Sequence, residues 1–391
     1  MHTAVSAPPA DADVGHARSF GIVSTFPPTS CGIATFSAAL AAGLIADGAS
    51  VDVVRCGPSP EIEDVLVTAS LTENDPSDRI AVDALNANDV VIVQHEYGLY
   101  AGPDGASILE LIAGVDVPIV VVAHTVLTEP TTNQRFVLER VCAAAAVVVV
   151  MTETARARLI DGFDIDASRV VVIPHGAATP PAEPATAPRV RRGPARLLTW
   201  GLLGPGKGIE WAIDALEDLH DLLPQPEYVI AGATHPKVRQ RDGEAYRQML
   251  VDRAARSAAP ARVVFDDTYR DLASLTALIQ SADLVVLPYD SRDQVTSGVL
   301  VDAVAAGRPV VSTAFPHAVE LLASGAGIVV PQRDPAALGA AIRAVLTDTR
   351  LADSMAAQAR RLAPDLSWSA VARRYVQLGD QISAAHASVR S

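Results

Sequence analysis

The feature that most constrains this chain is the recurrence of short β-branched runs. Each ends at a polar or glycine-containing turn and leads into a stretch of helical character. Phe20 to Phe26, Val51 to Arg55, Asp89 to Gln94, Pro118 to Ala123, Val147 to Met151 and Arg169 to Pro174 form one series of predicted strands. A second series opens with RLLTW at Arg196 and continues with Glu227 to Gly232, Arg262 to Phe265, Asp283 to Leu287 and a strand that Pro309 opens. Parallel strands need a long crossover, normally a helix, so this alternation predicts α/β architecture with parallel sheets covered on both faces. Ligands of such sheets collect beyond the carboxyl ends of the strands, which makes the polar residues there the candidates for chemistry.

At 391 residues the chain exceeds what one hydrophobic core usually holds, so two domains are expected. Residues 1–19 read as a loose leader, 20–176 as the first domain, 177–195 as a Pro- and Ala-rich linker and 196–366 as the second domain. The tail, with Trp368, Val371 and Tyr375 at helical spacing, reads as an amphipathic helix over 367–386. A formal charge of −14 argues against nucleic acid as a partner. Three widely spaced cysteines, Cys31, Cys56 and Cys142, indicate neither a disulfide framework nor a zinc knuckle, and they fit a reducing cytoplasm. The leader lacks the basic and apolar regions of a secretory signal, and the apolar stretch around Val141 to Met151 is too short to span a bilayer.

Five strand ends carry the motifs. In ADLVVLPYDSRDQVTSGVLVDAVAAGRPVVS (Ala282 to Ser312), Pro288 ends a strand and Ser297 caps a helix that Gly307 closes. The N–H groups of Ser297, Gly298 and Val299 would lack intrahelical partners, and with the helix dipole they suit a phosphate. Asp302 falls one turn deeper, within reach of a hydroxyl-bearing group on that phosphate, although an ordinary βαβ unit with a solvated Asp reads equally well. In GLLGPGKGIEW, Gly204 and its neighbours with Lys207 form a second anion cradle at a predicted helix start, and the Walker A pattern fails because Gly208 follows Lys207. After the first strand, Gly32 lets backbone approach a bound group and Thr29 and Ser30 add hydroxyls. Finally, His95, Glu96 and Tyr97 follow one strand and His124 another. A lone strand-end His is usually structural, but two at one edge shift the balance. Metal ligation by His95, Glu96 and His124 is the lesser reading, for want of a further ligand at zinc-like spacing.

These segments, in this order, resemble the retaining GT-B glycosyltransferases of the family 4 (group 1) type, over nearly the whole chain after Phe20. DAVAAGRPVV is similar to the family's donor-sugar segment, in which two Glu separated by seven residues flank a glycine loop. The second Glu falls on Asp302 and the first on Gln294, which can hydrogen-bond a hydroxyl but carries no charge. VVVAHTVL looks like the strand and loop that bring the family's active-site His to the transferred sugar, which gives that role to His124. Lys207 corresponds to the family's diphosphate Lys, and the family's nearby Arg falls on Leu202, leaving Arg292 or Arg270 as substitutes. Cys31 stands where the family usually has the first Gly of a pair before Gly32. The loop after Phe265 would lie against the base, so Asp267, Thr268 and Tyr269 are candidates, with a plain helix cap at Asp267 or Thr268 as the alternative. The terminal helix would cross back onto the first domain.

The resemblance implies two Rossmann-like domains facing across a cleft and hexosyl transfer with retention from a nucleotide sugar, with no metal and no cofactor. HEYG, HTVLTEP, IPHG and ATHP look most like the mannosyltransferase-like branch, so GDP-mannose is the first donor expected and a UDP-hexose the second. The acceptor, a saccharide or a lipid-linked glycan, would face His95, Glu96 and Tyr97, which leaves a peripheral membrane contact open. A sugar-nucleotide epimerase would need paired acidic groups that the motifs do not provide. A non-catalytic sugar-nucleotide-binding protein is the third reading, and Gln294 and Leu202 are the residues that favour it.

Overall fold

The computed structural model describes residues 19–29, 31–57, 64–71, 78–178, 193–257, 262–268 and 270–390. The first domain alternates β1 (Ser19–Ser24), α1 (Gly32–Ala46), β2 (Ser50–Cys56), β3 (Val67–Leu71), α2 (Arg79–Asn86) and β4 (Val90–His95). It continues with α3 (Ile108–Ile112), β5 (Ile119–Ala123), α4 (Thr132–Ala144), β6 (Val147–Val150), α5 (Glu153–Gly162) and β7 (Val170–Val172). The seven strands form one parallel sheet in the order β3-β2-β1-β4-β5-β6-β7. β4 and β5 are buried along their whole length, which is why VVIVQH and IVVVA read as unbroken apolar runs rather than alternating ones.

The second domain runs β8 (Arg196–Trp200), α6 (Ile209–Ala215), β9 (Glu227–Ala231), α7 (Pro236–Asp242), α8 (Ala245–Arg256), β10 (Arg262–Asp266) and α9 (Leu272–Ser281). Then come β11 (Leu284–Leu287), α10 (Gly298–Ala305), β12 (Val310–Thr313), α11 (Pro316–Leu322), β13 (Gly327–Val330), α12 (Pro335–Thr347), α13 (Thr349–Leu362) and α14 (Trp368–Arg390). Its six strands are parallel in the order β10-β9-β8-β11-β12-β13. The architecture is α/β with two Rossmann-like sheets. β3 and β13 lie outside the predicted strands. Both are edge strands with only one fully buried residue, Leu71 and Val330, so neither leaves a strong apolar signature.

In each sheet the winding reverses beside the first strand, between β1 and β4 and between β8 and β11. The loops after these four strands therefore diverge and leave a crevice, the place where a doubly wound sheet binds its ligand. The chain crosses between domains twice at one point: Ala177 N–H donates to Leu366 O at 2.7 Å and Trp368 N–H to Ala177 O at 3.1 Å. The second crossing delivers α14 to the first domain, where Val371, Ala372, Tyr375 and Leu378 share a core with Phe20, Ile22, Phe36, Leu40 and Leu44. Among the described residues no helix is long and apolar enough to cross a membrane.

α14 can lie this close only because Gly43 has no side chain: a Cβ there would meet the Ala372 methyl at 2.8 Å and the Trp368 carbonyl at 3.2 Å. Gly43→Leu should therefore overpack the α1–α14 seam and lower unfolding free energy by about 1–3 kcal/mol, read by urea denaturation. An unchanged midpoint would show that α14 does not dock as described.

Candidate active site

On the second domain the site is built from two turns pressed together. Gly208, at φ 62°, points its missing Cβ into the Pro288 carbonyl, so the β8–α6 turn rests directly on the end of β11. Lys207 lies in that turn rather than in the helix it was expected to open, since α6 begins at Ile209. Its ammonium sits 4.3 Å from the centroid of Tyr289, a cation–π contact, and burial lowers its pKa. Tyr289 is itself buried and stacked on Phe315 at 5.0 Å, so the ring is a fixed platform. Among the described residues no carboxylate pairs with Lys207.

Eight residues beyond Tyr289 comes the start of α10. Ser297 caps it, its hydroxyl accepting from Leu300 N–H at 3.3 Å. The Ser297 N–H, expected to be free, donates instead to His317 Nδ1 at 2.8 Å. Gly298 and Val299 keep unpartnered N–H groups among the described residues, so the anion site is two amides wide rather than three. His175, at the end of the first sheet, packs over Gly298: a Cβ at Gly298 would meet its ring at 2.9 Å. The first domain thus closes directly onto this helix start.

The opposite wall comes from β4 and β5. His124 Nε2 meets Gln94 Oε1 at 2.6 Å and its ring packs edge-on against Phe36 at 4.9 Å. Burial, with His175 and His95 nearby, pushes His124 down to about 3, so it is a neutral hydrogen-bonding group at any working pH. Glu96 turns inward, accepting from Thr125 Oγ1 at 2.5 Å and from Tyr97 N–H at 3.0 Å, and burial raises its pKa. His95 and Tyr97 are buried and pack edge-to-face at 5.2 Å. Of the expected acceptor residues, these two therefore support the wall from within the core. Among the described residues no three metal-ligating side chains converge.

Between the walls lies a cavity of about 230 Å³ lined by His124, Thr125, Ser291, Asp293, Gln294, Val295 and Thr296. Ligand pockets usually measure roughly 300–1,000 Å³, so this one matches a sugar-sized group rather than a whole nucleotide sugar. Cross-domain bonds close one side of it. Asp293 accepts from Thr128 N–H at 3.0 Å and Thr128 Oγ1 at 2.6 Å, and Glu320 accepts from the N–H groups of Glu153 and Thr154 at the start of α5.

Other candidates fall as follows. Gln294 lines the cavity, its amide donating to Thr296 O at 2.8 Å. Gly32 begins α1 with open space where a Cβ would stand, and Cys31 Sγ caps the helix from Ala34 N–H at 3.3 Å. Gly204 packs against Val238. Thr268 is exposed, its N–H donating to Asp266 at 3.0 Å, and the cap of α9 is Asp271 rather than Asp267 or Thr268. Arg270 is ion-paired to Asp266, so part of its charge is already taken up within its own domain. Tyr269 and Ser30 lie outside the described residues. His175 and His317, at the ends of β7 and β12, are site residues that the sequence reading did not include, although each follows a β-branched run as His124 does. Both are neutral, held down by burial to about 4 and about 3.

Asp302 departs most from expectation. It faces away from the main cavity into a recess of about 20 Å³ lined by Ala178, Leu272, Leu275, Thr276, Ile279 and Ala306, space for little more than one water. Burial raises its carboxyl to about 7. An acid raised on folding contributes stability below its ordinary range and loses it as pH climbs through the folded value. Asp302→Asn should therefore gain on wild type as pH rises above the ordinary carboxylate value, by roughly 1–3 kcal/mol between pH 5 and pH 8. Urea unfolding at the two pH values checks this, and a pH-independent difference would contradict it.

Comparison with known proteins bears on both halves. Residues 31–179 match the model described as "Glycosyltransferase Family 4" and residues 194–348 that described as "Glycosyl transferases group 1". The chain is 35% identical over 197 residues to glycogen synthase of Mycobacterium tuberculosis, covering 50% of this chain and 44% of that one. It is 30% identical over 266 residues to D-inositol 3-phosphate glycosyltransferase of Kineococcus radiotolerans, covering 61% and 58%. The chain thus spans about half the length of these curated relatives. Sucrose-phosphate synthase from Thermosynechococcus elongatus superposes with a TM-score of 0.72 at 19% identity, covering 94% of this chain and 100% of that one. Anabaena HepE in complex with UDP-glucose does so at 0.70 and 17%, covering 92% and 98%. These structural likenesses show the fold, GT-B. With a match in each half, the chain is made of the paired domains of the family 4, group 1 glycosyltransferases.

Proposed function

We propose that this protein transfers a hexose from a nucleotide sugar to an acceptor with retention of anomeric configuration. The observation that carries the reading is the convergence of Lys207 and the free Gly298 and Val299 amides beside a sugar-sized cavity walled by His124 and Gln294. The diphosphate lies against the ammonium and the helix start, and the hexose enters the cavity. As the glycosidic bond to the leaving oxygen lengthens, negative charge grows on the diphosphate, where a fixed cation and helix dipole stabilise it without reorganising. A diphosphate oxygen accepts the acceptor's proton on the same face, so no enzymic nucleophile is required. The Gln94 contact orients the His124 ring, and neutral His124 hydrogen-bonds the sugar.

The complexes of Anabaena HepE with UDP and UDP-glucose support a uridine nucleotide as donor. The IPHG and HEYG segments, which resemble the mannosyltransferase-like branch, support GDP-mannose instead. We favour the UDP-hexose. The acceptor is a hydroxyl of a saccharide or glycolipid. The second reading, a sugar-nucleotide binder without turnover, is favoured by uncharged Gln294 in place of the first family Glu and by Asp302 facing away from the cavity.

Incubation with UDP-glucose or GDP-mannose and no acceptor should release free hexose slowly, and Lys207→Ala should lower that rate by roughly 100-fold or more, as loss of a transition-state charge contact does. Binding without release would leave the binder reading, and release unchanged in Lys207→Ala would refute the site.

A further inference from the structure

The sequence contains 29 arginines and only two lysines, Lys207 and Lys237. The fold brings both to the same cleft. Beyond the end of β9 the chain keeps running alongside the β8–α6 turn: Leu203 N–H donates to Ala233 O at 2.9 Å, His235 N–H donates to Leu203 O at 2.8 Å, and Leu203 and Thr234 form a parallel bridge. The start of α7, which carries Lys237, is thereby laid beside Leu202, the position where the family's second cation is missing. Val238 packs on Gly204 within the same pair of turns.

The Lys237 ammonium leaves its own domain and crosses the cleft to the Gly98 carbonyl, 3.0 Å away, a neutral acceptor. Among the described residues no carboxylate pairs with it. Of the neighbouring acids, Glu244 is engaged with Arg239 and Thr234 and Asp290 with Arg333, while Glu96, hydrogen-bonded to Thr125, makes no ion pair with Lys237 but is near enough to feel its charge. His235 Nδ1 accepts the Lys237 N–H at 3.2 Å, which leaves Nε2–H as the imidazole's donor. Two ammonium groups and an imidazole N–H therefore gather at the end of β8 and β9 with no ion-paired carboxylate among the described residues, Glu96 being the nearest acid. A cleft built this way is matched to a polyanion. Arginine would hold a carbonyl as well, but a compact ammonium on a flexible stem can swing from a carbonyl to a phosphate oxygen.

We propose that Lys237 is the second cationic contact to the diphosphate, supplied from β9–α7 in place of the family's arginine at Leu202, and that Gly98 O is its resting seat. This rests on the donor reading above and adds a residue that the family motifs do not assign. On ligand entry the ammonium leaves Gly98 for a phosphate oxygen, so loading the site also frees a tie between the domains.

Calorimetric titration of the full chain with UDP, GDP and UMP tests this. Wild type should bind one of the diphosphates, and Lys237→Ala should weaken that binding roughly tenfold to a hundredfold while leaving UMP affinity within about twofold. Lys237→Arg should restore part of the loss. Gly98→Ala, whose Cβ would stand 2.5 Å from the resting ammonium, should bind the diphosphate at least as tightly as wild type. Unchanged diphosphate binding in Lys237→Ala, with Lys207→Ala impaired, would overturn the inference and leave the donor reading standing. Equal losses for UMP and UDP would also overturn it, as would a change confined to acceptor KM. If wild type binds no nucleotide diphosphate, the donor reading falls first and the inference with it.

Discussion

Everything at this site depends on an ammonium group held where it has no counter-ion. Lys207 rests on the face of Tyr289 and meets no carboxylate among the described residues, so part of its charge is left for a ligand. A carboxylate in that position would stabilise the empty protein more, but it would compete with the anion. The aromatic platform gives attraction without neutralisation. Its rigidity comes from the sheet, because Tyr289 directly follows the β11–Pro288 end and stacks on Phe315, which follows β12.

The opposing wall shows the complementary strategy. His95, His124 and His175 of the first domain, with His317 facing them from the second, are buried or partly buried, and desolvation holds each well below the ordinary histidine range. Four imidazoles brought together would repel as cations, but as neutral rings His124 and His175 pack on Phe36, His175 also on Trp368, and His95 on Tyr97. Acidification therefore works against the folded state. Histidines lowered on folding give stability that is present above their ordinary value and lost as pH falls toward the folded one. Asp302 titrates in the opposite sense, so as pH falls below about 7 its protonation offsets part of that loss.

The alternation of strands and helices, and the strand ends that matter, were legible because fully buried parallel strands leave continuous β-branched runs and reversal points follow from strand order. Lys207, His124 and the α10 start were legible for the same reason, each following such a run. What escaped the sequence were relations across domains and directions of side chains. Nothing along the chain says that His317 takes the Ser297 amide, that His175 reaches Gly298 from the other domain, or that Asp302 points toward α9. Helical spacing places a residue on a turn but does not choose between the cleft and a neighbouring helix. The edge strands β3 and β13 escaped because half-exposed strands lack the apolar pattern.

In the proposed site a diphosphate lies between Lys207 and the α10 helix start, both on the second domain and both facing the first. A crystal structure of the protein with UDP tests it most directly. Phosphate oxygens are expected within hydrogen-bond distance of Lys207 Nζ and of the Gly298 and Val299 amides, with the His124 cavity open toward the leaving group. A diphosphate bound elsewhere, or one that leaves those amides in contact only with water, would contradict it.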